Sequence, residues 1–311
     1  METVFEQANQ STVPAESSHA SHTVKIKTAI KQLYKGQDRV EVCDGVDKTS
    51  GESFKAVVLC DGHGSDTVPN MIPALAAPAA TAENPCVELH RLVRATKILG
   101  MEQSGCTAIY TKVYDNRIMV EAVGDSTVLI LEWQEDVQEW QKVWTNDSHK
   151  WDNLVERARL MKKNPMFAVV PSTTIRVVSP EAMCHAPATY VVLRGTLRQL
   201  AMTQAIGHDD IYGISPSRTV VPLVQGRKYK IIGGSDGVFD MLAQDSSDEM
   251  NAFYNMSAAD IVDFAVSRWN QEWYPVHPHN PTFRGFPKIQ FDKPSEKDDV
   301  SCFVVEIDQT A

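Results

Sequence analysis

The sequence predicts an α+β fold in which blocks of antiparallel strands are interrupted by paired helices. From Cys106 to Trp144 the chain reads as successive strands, with a hairpin turn at 114–117 and another break at 124–126. Consecutive strands joined by such short turns pair antiparallel. The helical patterns stand in separate blocks, which favours α+β layering over alternating βαβ units.

Composition and charge narrow the class of protein. The 311 residues are 43% hydrophobic, enough for a sizeable core, and the net charge is −10. That charge argues against a nucleic-acid binder, whose affinity comes mainly from clustered Lys and Arg. No apolar segment approaches the length needed to cross a bilayer, and the first 22 residues lack the features of a secretory signal. We expect a disordered tail over residues 1–22, one domain over 23–311, and a cytoplasmic or nuclear monomer without membrane or nucleic-acid partners.

The six cysteines are scattered and form no Cys-x-x-Cys pair. Cys60 and Cys302 lie within apolar, strand-like runs. We expect all six to be reduced, buried, small hydrophobic residues rather than disulfides or zinc ligands.

The first half of the chain opens with strands. Thr23 to Tyr34 is β-rich and leads to Gln37-Asp38, and Phe54 to Cys60 reads as a buried strand. Between Asp66 and Leu99 the pattern is helical but broken by four prolines, which predicts two helices with an irregular first one.

Two further helices are predicted downstream. Residues 150–163 carry apolar residues on one helical face, and Ser148 is the expected cap. Met256 to Trp269 is the clearest amphipathic helix, with Ser257 as its expected cap.

Two segments rich in proline carry weaker signals. Residues 164–188 contain four prolines and are expected to be a mobile excursion. Residues 270–297 combine prolines with aromatic residues and form an insertion, which we expect to be a packed surface loop. A docking or substrate-selecting role for this insertion is the alternative.

Three acidic junctions lie at the ends of strand-like runs. An apolar run stops at Asp61-Gly62-His63-Gly64, a second stops at Ser235-Asp236-Gly237, and Asp298-Asp299 precedes a third. The first motif alone is also ordinary turn chemistry, since glycine supplies the positive φ that turns require. Three carboxylates brought from such distant places to strand ends must either repel one another in one cleft or share a cation.

In this arrangement the sequence resembles the metal-dependent serine/threonine protein phosphatases of the type 2C family. The similarity covers about Thr23 to Ile307 and rests on six motifs that follow one another in the family's order: Gln37-Asp38, Asp61-Gly62-His63-Gly64, Ser104-Gly105-Cys106-Thr107-Ala108, Val123-Gly124-Asp125-Ser126, Ser235-Asp236-Gly237-Val238-Phe239-Asp240 and Asp298-Asp299-Val300-Ser301. The resemblance implies two antiparallel sheets packed face to face with helices on both outer faces. It also implies a flap near the active site at about residues 164–188.

The resemblance further implies hydrolysis of phosphoserine and phosphothreonine in proteins at a binuclear Mg²⁺ or Mn²⁺ centre. In the family's pattern Asp61 bridges the ions, Gly62 offers a carbonyl, and Asp236 and Asp298 are further ligands. Asp38 completes the site or lies just outside it. Asp125 and Asp240 match the acids linked to a third, looser metal, and His63 matches the histidine that protonates the leaving oxygen.

Four positions depart from the family's pattern. Gln37 replaces a glutamate, Leu33 an arginine, and Gln204 and His208 an arginine and an aspartate. Lys35 is the predicted substitute for the arginine that holds phosphate, with charge but without a bidentate grip. Two functions therefore stay open: an active phosphatase, or a catalytically impaired relative that binds phosphoproteins or regulates other proteins.

Overall fold

A computed structural model of the protein describes residues 23–194, 199–277, 279–280, 282 and 285–309. The predicted disordered tail, residues 1–22, lies outside the described residues. The strands are β1 (Thr23–Lys31), β2 (Arg39–Val46), β3 (Ser53–Cys60), β4 (Gly62–Gly64), β5 (Ser104–Cys106), β6 (Ala108–Val113), β7 (Arg117–Val123), β8 (Thr127–Gln134), β9 (Glu139–Thr145), β10 (Phe167–Ser179), β11 (Ala182–Leu193), β12 (Gln199–Leu200), β13 (Ile206–Gly207), β14 (Ser217–Pro222), β15 (Lys228–Gly234), β16 (Tyr274–Pro275) and β17 (Val300–Asp308). The α-helices are α1 (Ile72–Ala80), α2 (Pro85–Ala95), α3 (Leu154–Lys163), α4 (Asp236–Phe239), α5 (Ser247–Asn255) and α6 (Ala258–Asn270).

Two five-stranded antiparallel sheets form the centre of the molecule. One has the order β1-β17-β15-β8-β9 and the other has the order β14-β7-β6-β3-β2. A small sheet, β13-β5-β4, lies where the chain leaves the second sheet. The predicted α+β class with antiparallel sheets is confirmed.

The alternation of side chains along β3 shows how the layers are stacked. Val57 and Leu59 are fully buried in a cluster with residues of β15 and β17, such as Ile231, so this cluster lies between the two sheets. Ala56 and Val58 point the other way and pack against α1 and α2. Because successive side chains of a strand face opposite sides, one strand supplies both cores.

The outer face of the first sheet is covered in the same way. Ile232 and Val304 pack in one cluster with residues of α4, α5 and α6, among them Ile261 and Trp269. Burying one such aliphatic side chain contributes about 1.5–3 kcal/mol. The order of layers is therefore helix, sheet, sheet, helix.

The helix caps separate one correct prediction from one wrong one. Helix α6 begins after Ser257, whose hydroxyl accepts from the amide of Asp260 while the Asp260 carboxylate accepts from the amide of Ser257. Helix α3, predicted from residue 150 with Ser148 as its cap, starts at Leu154. Asn153 caps it, because its side chain accepts from two amides of the first turn. Lys150 instead forms an isolated antiparallel bridge with Met202.

Residues 164–188 are not irregular. They contribute most of a long antiparallel hairpin, in which β10 pairs with β11 from Phe167↔Leu193 to Ser179↔Ala182. Proline is tolerated here because Pro171 lies on the edge strand β10, which has a neighbour on one side only. Pro187 lies in β11 between the short stretches that pair with β16 and β12.

The described part of the 270–297 insertion is packed against the core. Trp273 is fully buried and Phe291 nearly so, both in the cluster that holds α6. Residues 278, 281, 283 and 284 lie outside the described part. All six cysteines carry free thiols; five are buried as expected, whereas Cys43 is only half-buried. None of the helices in the described ranges is long and apolar enough to cross a membrane.

Candidate active site

Acidic side chains converge on one cavity at an edge of the sandwich. Asp61 directly follows β3, Asp236 follows β15 at the start of α4, and Asp298 precedes β17. All three line a cavity of about 720 Å³. Of the residues predicted from the sequence, those that line this cavity are Lys35, Asp61, Gly62, His63, Asp125, Asp236 and Asp298.

Asp38 and Asp240 do not line this cavity. Asp38 is buried immediately before β2, and the charges of Asp298 and Asp236 act on it. Asp240 follows α4 and lines a smaller cavity of about 250 Å³. Seven of the nine predicted residues therefore line one cavity, whereas Asp38 and Asp240 lie outside its lining.

Thr107 fixes the backbone of Asp61. The Asp61 amide donates to the Thr107 hydroxyl at 3.0 Å, and the Thr107 amide donates to the Asp61 carbonyl at 2.8 Å. The same hydroxyl lies 2.7 Å from that of Ser126, next to Asp125. Thr107 thus links the junction at Asp61 to the segment that carries Asp125, and its place in the motif has a structural reason.

Gly62 allows two segments of chain to approach closely. A Cβ at position 62 would lie 2.5 Å from Pro69 and 2.7 Å from the Cβ of Gln37. The absence of a side chain at Gly62 keeps the turn after Asp61 tight against the segment that carries Asp38.

Burial and mutual repulsion raise the pKa values of these carboxyl groups. For Asp61, burial and the charges of Asp236 and Asp38 raise the pKa well above its usual range. Burial and the charge of Asp298 raise the pKa of Asp236 to about 6. Burial also raises the pKa of Asp38 to about 7, although the nearby Ser301 side chain opposes the shift. A nearby positive charge would stabilise the charged form of these buried, mutually repelling carboxylates.

The donor atoms fit a hard divalent cation. Asp38 Oδ2, Asp125 Oδ1 and Asp236 Oδ1 are buried without a hydrogen-bond partner. Oxygen donors of this kind suit Mg²⁺ and Mn²⁺. Across the described residues no three His, Cys, Asp or Glu side chains form a finished metal-ligating cluster. The three unpartnered oxygens belong to carboxylates that act on one another electrostatically, since Asp236 acts on Asp38 and Asp125 acts on Asp236.

A lysine that the sequence reading missed lies beside the acids linked to a third metal. Lys150 Nζ is 3.5 Å from Asp125 Oδ2. The charge of Asp125 raises the pKa of Lys150, burial opposes this, and Asp240 and Asp236 raise it further. No local pattern indicates this contact, because the apolar spacing predicts that residue 150 starts a helix. An ammonium group thus shares the region expected for the looser metal.

The segment between β1 and β2 turns Lys35, and not Leu33, towards the cavity. Strand β1 ends at Lys31, so the side-chain alternation of the strand does not continue to Leu33. The Leu33 side chain packs against the cluster that includes α6. Lys35 reaches the cavity, where its ammonium lies 3.1 Å from Asp298 Oδ1. Burial alone would lower the pKa of Lys35, but the nearby carboxylates outweigh burial and raise it.

Gln37 and Gln204, two of the departures from the family, donate hydrogen bonds to neighbouring segments of the chain, while Gln37 Oε1 is buried without a partner. Gln37 Nε2 donates to the Gly64 carbonyl at 2.9 Å and to Asp66 Oδ1 at 2.6 Å. Gln204 is fully buried and exchanges hydrogen bonds with the backbone of Ser215.

His63 and His208 form a stacked pair at the cavity wall. Their ring planes differ by 2° and their centroids are 4.9 Å apart. His208 Nε2 lies 3.0 Å from His63 Nδ1, while His63 Nε2 is buried without a partner. Burial and the neighbouring His208 and Lys35 lower the pKa of His63 well below its usual range.

Comparison with known proteins assigns the family. The family model described as Protein phosphatase 2C matches residues 81–252, more than half of the chain. The chain belongs to the protein phosphatase 2C family. The match includes Asp125 and Asp236, whereas Asp38, Asp61, His63 and Asp298 lie outside the matched range.

Individual relatives of this phosphatase 2C chain agree with the assignment. "Probable protein phosphatase 2C 61" from Arabidopsis thaliana is 24% identical over 241 residues, which are 68% of this chain and 69% of the relative. The serine-threonine phosphatase 2C of Toxoplasma gondii has a TM-score of 0.57 at 14% identity, over 94% of this chain and 96% of its own. The serine/threonine phosphatase Stp1 of Staphylococcus aureus has a TM-score of 0.53 at 12% identity, over 94% and 98%. At such identities the solved structures establish the shared fold alone.

Proposed function

We propose that this phosphatase 2C chain is a catalytically active, Mg²⁺- or Mn²⁺-dependent protein phosphatase that hydrolyses phosphoserine and phosphothreonine. The observation that carries the proposal is the convergence of Asp61, Asp236 and Asp298 on one cavity that His63 also lines. A binding module has no physical need for repelling carboxylates at this point.

The acidic residues would hold two metal ions. Asp61 would bridge them, Gly62 would offer its carbonyl, and Asp236 and Asp298 would complete the ligands, with Asp38 behind. Two bound divalent ions would polarise the phosphoryl oxygens and lower the pKa of a bound water near neutral pH. A third, weaker ion at Asp125 and Asp240 would have to compete with the ammonium of Lys150.

Two other side chains act on the substrate directly. His63 Nε2 would give a proton to the leaving serine or threonine oxygen, a transfer that contributes about 10²–10⁴-fold to rate. Lys35 would attract the phosphate as a point charge, although it also contacts Asp298.

A catalytically impaired relative that binds phosphoproteins is the second candidate. Gln37 stands where the family has a glutamate: its Nε2 donates to Gly64 and Asp66, and its oxygen lacks the charge of a carboxylate. A cavity weakened on that side would bind a phosphopeptide without turning it over.

Turnover of a phosphothreonine peptide separates the two candidates. After exhaustive chelation we expect no phosphate release, and we expect activity to return with Mn²⁺ or Mg²⁺ but not with Ca²⁺, which is larger and tolerates looser geometry. Phosphopeptide binding without turnover in Mn²⁺ would favour the impaired relative. Activity that survives chelation would exclude a metal-dependent mechanism.

A further inference from the structure

His208 is held in one orientation by its backbone and by its surroundings. It lies in a short 3₁₀ turn with φ of 50°, in the left-handed region that few residues other than glycine, Asn, Asp and His adopt. Its ring lies against Gly105, where an added Cβ would be 2.5 Å from His208 Cδ2 and 2.6 Å from Nε2. The side chain therefore fills a space that a glycine leaves open.

The hydrogen bonds of the two histidines have a fixed direction. His208 Nδ1 lies 3.1 Å from the carbonyl oxygen of Glu102. A carbonyl only accepts, so His208 Nδ1 carries a proton. In the neutral pair His208 Nε2 then accepts from His63 Nδ1–H at 3.0 Å.

This direction fixes which ring nitrogen of the pair is left without a hydrogen bond. Two of the four ring nitrogens share one proton, and His208 Nδ1 holds another against Glu102. His63 Nε2 is the remaining nitrogen of the pair, and it has no hydrogen-bond partner. In the neutral pair His63 Nε2 is therefore the nitrogen that carries neither a proton nor a hydrogen bond.

We propose that His208 is a positioning residue for His63, which holds the His63 ring in place and keeps the ring proton of neutral His63 on Nδ1, so that Nε2 is the bare nitrogen. This inference rests on the proposed phosphatase function.

The direct test reads the ring nitrogens without relying on activity. Histidine ¹⁵N spectra of the metal-free protein, assigned by subtraction of His63→Gln, should show His63 with a protonated Nδ1 and a bare Nε2. In His208→Phe, which keeps an aromatic ring but has no nitrogen, the His63 signals should move towards mixed tautomers. His208→Asn tolerates the positive φ, and its amide oxygen can accept, so it should retain more of the Nδ1–H form if it reaches His63. An unchanged His63 tautomer in His208→Phe would overturn the proposal.

Kinetics supply the second readout. His208→Phe should slow hydrolysis of a phosphothreonine peptide about 10–100-fold but affect p-nitrophenyl phosphate little, because its good leaving group hardly needs a proton. His63→Gln should show the same dependence on the leaving group, and the double variant should be no slower than His63→Gln alone. The matched control is His185→Asn, an exposed histidine of β11, which should change neither substrate.

The outcomes separate failure of this inference from failure of the proposed function. Equal losses on both substrates, or additive losses in the double variant, would contradict positioning by His208 while the enzyme remains active. A wild-type protein inactive on both substrates in Mn²⁺ would contradict the proposed function, and the tautomer measurement would still decide whether His208 orients His63.

Discussion

Asp298 and Asp299 are neighbours in sequence with different surroundings. Asp299 is buried, and its carboxylate accepts from the backbone amides of Leu33, Tyr34 and Gln37. Asp298 faces the cavity and contacts Lys35. Asp299 therefore holds the segment between β1 and β2, whereas the Asp298 carboxylate faces the cavity, where a cation could bind it.

Substitution of the two acids by alanine should separate these tasks. Asp299→Ala leaves three amides without their acceptor, so we expect the free energy of unfolding to fall by about 3 kcal/mol or more. Asp298→Ala, the matched control, should change the stability of the metal-free protein by less than about 1 kcal/mol, since its ion pair is partly exposed. Urea unfolding in the presence of chelator measures both. Equal losses would contradict the division of roles.

Lys35 offers a second test at the scale of a residue. Lys35→Met keeps a long side chain but removes the charge, so KM for a phosphothreonine peptide should rise several-fold while kcat changes less. Lys25→Met, at an exposed position on β1, should leave both constants unchanged. If Lys35→Met also leaves both constants unchanged, phosphate is held without Lys35.

The start of a helix can be predicted from the sequence when the apolar spacing and the cap residue indicate the same position. Ser257 was identified as the cap of α6 because the apolar spacing begins right after it. Asn153 was missed as the cap of α3 because the apolar spacing could be extended back to residue 150, which tertiary contacts with Met202 and Asp125 instead hold outside the helix. The hairpin of β10 and β11 was missed because its prolines occupy positions that need no second neighbour.

The cap of α6 should contribute measurably to stability. Ser257→Ala removes the hydroxyl that accepts from the Asp260 amide, so the free energy of unfolding should fall by about 1 kcal/mol. Ser267→Ala, at an exposed position later in the same helix, removes only a bond to the Phe264 carbonyl and should cost less. Urea denaturation of both variants tests this. A larger loss in Ser267→Ala would mean that the cap does not hold the helix end.

At the scale of the molecule, the sandwich places the ends of strands from both sheets at one edge. The sequence was sufficient to predict the α+β class and the acidic junctions, since each depends on a few consecutive residues. It could not assign His208 or reveal Lys150, because their contacts with His63 and Asp125 depend on how distant segments pack. From the sequence, Gln37 and Gln204 are only missing charged groups at the site. The structure shows that the Nε2 atoms of both side chains donate hydrogen bonds to other parts of the chain.

Titration of the metal-free protein with Mn²⁺ by calorimetry tests the central claim most directly. We expect two Mn²⁺ ions per chain in the wild type, and binding weakened by about tenfold or more in Asp236→Asn, because one ligand charge is lost. Asp263→Asn, an exposed position on α6, should bind as the wild type does. A wild-type protein that binds no Mn²⁺, or an Asp236→Asn variant that binds it as tightly as the wild type, would contradict the assignment of the cavity as a metal centre.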